Sequence, residues 1–233
     1  MATAAATGRI HKRLLDFQIE PGEGRATLWL SLYLLFGIAS VIGLKAVANS
    51  LFLSRHSARD LPFLYVAVAA VMAVIIPFYL RLSARLNQNR LTVYTQAFLA
   101  SNLVLFWWLL QRNLTGMPAV IYVWVEVYSV IIPTQVWTLA NHIFTTRQAR
   151  RLFAILGSGG ILGAALGGIF GKQMTGWIGT QALLLVYVGF VVACAAIATY
   201  LWHAERVQAH TSVKAKQHPP SNLTQTVRDI RQS

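Results

Sequence analysis

The chain has 233 residues, of which 56% are hydrophobic and only 12% are charged. Soluble domains carry roughly 25% charged residues, so this composition excludes an ordinary soluble domain. The formal net charge is +13, but a nucleic-acid-binding protein would not consist largely of uncharged apolar runs, and we expect no nucleic acid partner. The composition predicts an all-α membrane protein, embedded in a lipid bilayer, whose basic residues collect in its cytoplasmic loops.

Residues 1–27 are predicted to form a cytoplasmic segment that precedes the membrane. The segment lacks the apolar core of a cleavable signal peptide. Residues 10–19, IHKRLLDFQI, have the pattern of a short amphipathic helix that lies on the membrane surface. The PGEG sequence at residues 21–24 separates this helix from the first span.

Six segments are long and apolar enough to cross a bilayer, whose hydrocarbon core requires about 20 helical residues. Four of them carry no charged side chain, while the first contains Lys45 and the fourth contains Glu126. Pro77 and Pro133 lie inside the second and fourth spans, where they could produce kinks. The predicted spans are 28–53, 61–80, 91–110, 117–140, 152–171 and 180–202.

The fifth span is glycine-rich and follows several arginines, as some phosphate-binding loops do. The Walker pattern fails, because Leu166 and Gln173 occupy two of its required positions, and the dinucleotide pattern fails at Leu162. Glycines that recur every four residues instead predict a smooth helix face against which another helix packs closely. These glycines are Gly159, Gly163, Gly167 and Gly171.

The other chemically active residue types form no recognisable site. Cys194 is the only cysteine and lies in an apolar run, so it is predicted to fill space in the core. The six histidines show no spacing typical of metal ligands. Acidic residues are too few for a catalytic serine–histidine–acid set. We therefore expect no metal site, no cofactor and no enzymatic activity.

The distribution of basic residues predicts the orientation in the membrane. With a cytoplasmic N-terminus, fifteen lysines and arginines lie on the cytoplasmic side and four on the other side, as the positive-inside rule requires. Both termini are then cytoplasmic, and a bacterial inner membrane is the expected location. Arg147, Arg150 and Arg151 precede the fifth span and are expected to contact anionic lipid headgroups rather than substrate. Residues 204–233 are polar and are predicted to be a cytoplasmic linker, beyond which we expect the natural chain to continue.

Lys45 and Glu126 are the charges that require an explanation, since a charge inside a span costs roughly 2.5–3.5 kcal/mol. At 1.5 Å per helical residue, both lie about 12 Å below the outer surface. We expect them to form an ion pair or to face one water-filled cavity, in either a structural or a substrate-binding role. Asn49, Gln135 and Asn141 could line the same cavity or could hold helices together.

The position of the two charges also suggests an internal repeat. Each charge falls on the first helix of a group of three spans. Inverted three-helix repeats with a binding site at their interface are a transporter architecture. We therefore predict a half bundle of the major facilitator type, built as a 3+3 inverted repeat.

Several motifs resemble the ATP/ADP translocases, a family of nucleotide transporters within the major facilitator superfamily. The resemblance extends over nearly the whole chain. Its motifs are W-x-E at 124–126, W-x-L-A-N at 137–141 and R-x-A-R-R-L-F at 147–153, together with IEPGEGR before the first span and LFLSRHSARDLPFLYV at 51–66.

The resemblance implies a twelve-helix exchanger of which this chain is the N-terminal six-helix half. It also implies an anionic substrate, with ATP and ADP as candidates, and a substrate-related role for Lys45 and Glu126. One departure affects the substrate. The family commonly has LKPVRDALFLS where this chain has LKAVANSLFLS, so Ala48 and Asn49 replace an Arg-Asp pair. A less charged substrate than ATP is compatible with that change.

The sequence therefore predicts a secondary active transporter that works by alternating access. The second six-helix half would come from the missing C-terminal part or from a second copy. Two alternatives remain open. The first is a non-transporting membrane anchor or signalling module fused to a soluble partner domain. The second is a half-size transporter that dimerises through the glycine face.

Overall fold

The computed structural model describes residues 23–217 except residue 113, and for residues 205–217 it describes the helical backbone alone. This part of the chain is all-helical, and five of its helices are long and apolar enough to cross a membrane, as expected for a multi-pass membrane protein. The α-helices are α1 Glu23–Leu53, α2 Leu61–Arg85, α3 Gln88–Leu110, α4 Met117–Ile143 and α5 Thr146–Gln217, with a short 3-10 helix at Ala58–Asp60.

The helix ends follow local sequence signals. Helix α1 begins earlier than predicted, with Glu23 in its first turn, where a negative charge is favourable next to the helix dipole. The Ser57 hydroxyl and the Asp60 carboxylate form a capping box around the 3-10 helix. Helices α2 and α4 each carry proline in their first turn, where its missing N–H group costs nothing.

The last two predicted spans belong to one helix with a break. Gly179 in α5 has φ 79° and ψ 160°, a backbone conformation that only glycine adopts without strain. We call residues 146–178 the first arm and residues 180–217 the second arm. The prediction placed a longer non-helical connection between the fifth and sixth spans, but a single glycine separates the two arms.

Contacts with α1 show that the chain reverses direction at Gly179. The first arm runs parallel to α1, because Glu23 contacts Arg151 and, at the same separation of 128 residues, Ser31 lies against Gly159. The second arm runs in the opposite direction. Its contacts with α1 pass from Arg25–Tyr200, through Tyr33–Cys194 and Phe36–Phe190, to Gly43–Tyr187. Helix α1 thus lies against both arms of a helical hairpin.

The glycine face predicted on the fifth span packs against α1 inside the chain. A Cβ atom on Gly159 would lie 2.6 Å from the Ser31 carbonyl oxygen, and one on Gly167 would lie 2.5 Å from the Ala39 carbonyl oxygen. Gly163 meets the Leu35 backbone in the same way, while Gly171 faces the Tyr187 hydroxyl on the second arm. The predicted close packing is therefore present, and these glycines are not exposed for a dimer interface.

The rest of the core forms around this arrangement. Cys194 is fully buried and its thiol contacts the Tyr33 carbonyl oxygen, so it fills space in the core as predicted. Helix α2 is the most peripheral of the membrane-length helices, since only Leu64 on it is buried. Its outward side carries large apolar residues such as Phe63 and Phe78, as expected for a surface in contact with lipid.

The predicted N-terminal segment and the predicted C-terminal linker lie partly outside the described residues. The amphipathic helix predicted at 10–19 falls outside them, as do residues 218–233 of the predicted linker. Between 204 and 217 the chain continues as helix, although we predicted no particular structure for this stretch.

We predict opposite effects for two alanine substitutions in the first arm. Gly163→Ala should lower the free energy of unfolding by about 1–3 kcal/mol, because the added methyl group meets the α1 backbone, which cannot move aside cheaply. Gly168→Ala is the matched control, since a Cβ atom there meets nothing within 4 Å. It should be neutral or slightly stabilising, because alanine favours helix over glycine. Thermal unfolding in detergent measures both, and equal effects would contradict the packing described here.

Candidate functional site

Lys45 on α1 and Glu126 on α4 form an ion pair. The Lys45 Nζ atom lies 2.8 Å from the Glu126 Oε2 atom. The two side chains remain 36% and 24% exposed, respectively. Of the two arrangements that the sequence allowed, the ion pair is the one formed, and it is not sealed from the surroundings.

The antiparallel packing of α1 and α4 places the two charges at the same depth. Further along the same interface, the Ser40 hydroxyl lies 2.6 Å from the Tyr128 hydroxyl. A Cβ atom on Gly37 would lie 2.8 Å from the Ile132 methyl group. Because Gly37 has no side chain, the two helices approach closely enough for both polar contacts to form.

The immediate surroundings of the ion pair are sparse in hydrogen-bond partners. The Ser129 hydroxyl lies 3.5 Å from the Glu126 carboxylate and donates a shorter bond of 2.8 Å to the Glu126 carbonyl oxygen. Asn49 lies one turn beyond Lys45 on an exposed part of α1, and its amide donates to the Lys45 carbonyl oxygen. The charged groups are therefore held mainly by each other.

Helix α4 carries an exposed polar face that begins at Glu126. Its members spread over about half of the helix circumference, because the five-residue step from Ser129 to Thr134 turns the helix by about 140°. The Thr134 and Thr138 hydroxyls donate to carbonyl oxygens of their own helix. We call this the α4 polar face. It consists of Glu126, Ser129, Thr134, Thr138 and Asn141. Glu126 and Asn141 were predicted from the sequence, whereas Ser129, Thr134 and Thr138 were not.

Gln135 does not lie on this face. It is fully buried, and its side chain joins three other helices. Its Oε1 atom accepts a 3.0 Å bond from Gln96 on α3 and lies 3.5 Å from the Tyr33 hydroxyl on α1. Its amide lies 3.4 Å from the Tyr79 hydroxyl on α2. Of the two roles considered for Gln135, the structure places it in the one that holds helices together.

One member of this buried network, Gln96, could have been recognised from the sequence. Gln96 lies in the third span, and a buried amide there requires partners from neighbouring helices. Tyr33 and Tyr79 give no such signal, because tyrosine is common in membrane helices. Their roles depend on which helices become neighbours.

The basic residues before the fifth span do not behave as one cluster. Arg151 forms a 2.7 Å ion pair with Glu23 at the start of α1, and the Gln148 amide donates to the same carboxylate at 2.7 Å. Arg147 and Arg150 are exposed. Arg151 therefore joins α5 to α1, and lipid contact by the three arginines stays a prediction.

Comparisons of the chain with protein-family models, with curated proteins and with solved structures found no match. The resemblance to the ATP/ADP translocases thus rests on the sequence motifs themselves.

A double-mutant cycle should detect the buried network. We expect Gln96→Leu and Gln135→Leu to be coupled by about 0.6–1.7 kcal/mol in the free energy of unfolding, the range found for hydrogen bonds between membrane helices. Asn141→Leu is the control partner, because Asn141 is exposed near the C-terminal end of α4. Its effect should simply add to that of Gln96→Leu. Additive effects in both cycles would show that the two glutamines do not stabilise each other.

Proposed function

We propose that this chain is one six-helix unit of a secondary active transporter of the major facilitator type, similar to nucleotide exchangers and working by alternating access. The observation that carries the proposal is the partly exposed Lys45–Glu126 ion pair at membrane depth. Ionisable residues inside membrane spans are expensive to insert and usually mark substrate or ion pathways.

The exposure of the pair favours binding over a purely structural role. A structural ion pair inside a membrane is best enclosed and supplied with additional hydrogen bonds, since leaving water costs each charge several kcal/mol. Here Lys45 bonds to a single carboxylate and keeps 36% of its side chain exposed. An anionic group that approached from the open side could replace Glu126 as the partner of Lys45.

The mechanism follows from the chemistry of these two groups. Glu126 neutralises Lys45 when the site is empty. On binding, Lys45 neutralises an anionic group of the substrate, and the released Glu126 carboxylate takes up a coupling proton or turns towards the aqueous pathway. The other side chains of the α4 polar face line the route towards the cytoplasm, while Asn49 on α1 lies one turn nearer the outer surface than Lys45. Alternating access then exposes this site to each side of the membrane in turn.

The substrate is an anionic small molecule, for which ATP and ADP are candidates through the motif resemblance alone. Where the family commonly has an arginine, this chain has Ala48, which is buried among apolar neighbours with 2% of its surface exposed. A second cation is therefore missing beside Lys45. This favours a substrate that carries less charge at this point than a nucleotide triphosphate.

The proposed topology has six membrane crossings, with α5 contributing two because it folds back at Gly179. Six crossings leave both termini on one side of the membrane. The distribution of basic residues indicates that this side is the cytoplasm, with the protein in the inner membrane. The antiparallel contact between α1 and α4 supports a 3+3 inverted repeat, since these are the first helices of the two triplets. The α4 polar face would then meet a second six-helix unit.

The main alternative is a non-transporting membrane anchor or signalling module in which the ion pair only fixes the packing of α1 and α4. A half-size transporter that dimerises also remains open, but the glycine face cannot be its interface, because α1 and the second arm cover it.

Transport assays on the natural full-length protein in proteoliposomes separate these functions. With labelled ATP, ADP and phosphate as probes, Lys45→Ala and Glu126→Gln should each reduce uptake by more than about tenfold, since losing one partner of a bonded charge pair costs about 2–5 kcal/mol. Ser101→Ala is the control, because Ser101 lies exposed on α3 and bonds only to its own helix. It should transport as well as the parent.

A charge exchange distinguishes binding from packing. The double variant Lys45→Glu with Glu126→Lys keeps an ion pair and should keep the stability of the parent. If the pair binds substrate, this variant should still transport poorly, because the cation has moved to α4. Full transport by the exchanged variant or by both single variants would reduce the pair to a structural role. Failure of the parent to move any probe would reject the nucleotide assignment.

The proposed crossings can be tested with single cysteines and a membrane-impermeant maleimide. Labelling from outside the cell should reach Lys172→Cys and Gln181→Cys but should reach Arg147→Cys and His203→Cys only after the membrane is opened. The parent, with only the fully buried Cys194, provides the background. Labelling of all four positions from the same side would show that the two arms of α5 do not cross the membrane separately.

A further inference from the structure

The inner end of α1 is bonded to both arms of α5 by two residues that point in different directions. Glu23 faces the first arm, where it bonds with Arg151 and Gln148. Arg25 is two residues further along the helix and therefore points roughly to the opposite side. Its guanidinium group donates a 2.5 Å hydrogen bond to the Tyr200 hydroxyl on the second arm.

The Arg25–Tyr200 contact leaves hydrogen-bond donors at an exposed surface. A guanidinium group has five N–H donors in a fixed planar arrangement that matches phosphate oxygen atoms. Arg25 is exposed, and Tyr200 keeps 39% of its surface accessible. Because the Tyr200 hydroxyl accepts from Arg25, it can donate its own proton to an oxygen atom outside the chain. The two side chains together present a positive charge and several donors that point outward.

Trp29 completes the site. Its ring lies 5.1 Å from the Tyr200 ring, with the two planes tilted by 53°. Arg25 lies one turn before Trp29 on α1, so this ring contact holds the Tyr200 phenol next to Arg25. Tryptophan and tyrosine concentrate where the hydrocarbon core meets the headgroups, because each combines an apolar ring with a polar group. The site therefore lies at the depth of lipid headgroups.

Apolar side chains continue from this site along the same side of α1. Leu28, Leu32 and Phe36 follow Arg25 and Trp29 at helical spacing, with Leu28 exposed and the other two half-buried. The Phe36 ring lies 5.6 Å from the Phe190 ring on the second arm. Groups of this kind fit an acyl chain, whereas a soluble phosphate ligand would gain nothing from them.

We propose that Arg25, Tyr200 and Trp29 form a binding site for the phosphate headgroup of an anionic phospholipid, with one acyl chain lying along Leu28, Leu32 and Phe36 of α1. The phosphate oxygens accept from the Arg25 guanidinium and the Tyr200 hydroxyl, and the bound lipid bridges α1 to the second arm. The carboxylate nearest in sequence, Glu23, bonds with Arg151 on the other side of α1. The site depends on the chain lying in a membrane and is independent of any transported substrate.

Lipid binding can be measured by native mass spectrometry of the purified full-length protein released from detergent. The probes are phosphatidylglycerol and phosphatidylcholine with identical acyl chains. The parent should retain phosphatidylglycerol in preference, and Arg25→Gln should weaken this retention about fivefold, as expected for one arginine at an anionic membrane surface. Tyr200→Phe should weaken it less, and Arg25→Lys should restore part of it. Arg90→Gln, an exposed arginine in the first turn of α3 on the same proposed side, is the matched control and should behave like the parent.

A second measurement does not depend on any variant of Arg25. Phosphatidylglycerol brominated in its acyl chains should quench the fluorescence of Trp29, obtained as the difference between the parent and Trp29→Phe. Brominated phosphatidylcholine should quench it less. Equal retention of both lipids by the parent, unchanged retention by Arg25→Gln, or displacement of the lipid by millimolar inorganic phosphate would each overturn the proposal.

Discussion

The close approach of α1 to the first arm of α5 is the constraint on which the rest of the arrangement depends. Gly159, Gly163 and Gly167 let the two backbones meet where any side chain would collide with a carbonyl group. Helix α1 is thereby held at one register against the first arm, and Gly179 returns the second arm along it in the opposite direction. In a bilayer, where apolar surfaces gain little from leaving lipid, such direct packing is a main source of helix association.

Polar contacts then fix α1 at three levels along its length. At its start, Glu23 bonds with Arg151. Further along the helix, the contacts are neutral, between Tyr33 and the glutamine side chains of α3 and α4. Nearer the end of α1, Lys45 and Glu126 form a second charged contact, and both of its side chains stay partly exposed.

Several features of the fold and the site followed from the sequence because they depend on local pattern. The membrane-length helices, the close packing of the glycines and the equal depth of Lys45 and Glu126 all follow from apolar length and helical rise. Other predictions could not succeed in this way. Gln135 and Asn141 look alike in sequence, yet one is buried in a network and the other is exposed, because only the neighbouring helices differ. Arg151 looks like Arg150, but Glu23 reaches only one of them.

The sequence by itself determined that the chain is apolar and helical, which segments form membrane-length helices and which residues bear the unusual charges, since these properties reside in single segments. Tertiary structure alone decided that α1 is the helix covering the glycine face, that α5 folds back at one residue, and that Arg25 meets Tyr200 across 175 positions of chain. The physical reason is that pairing between helices depends on the shape of two surfaces together. A glycine stripe or a polar side chain in one segment specifies that it needs a partner, but the identity of that partner emerges only when all the helices pack.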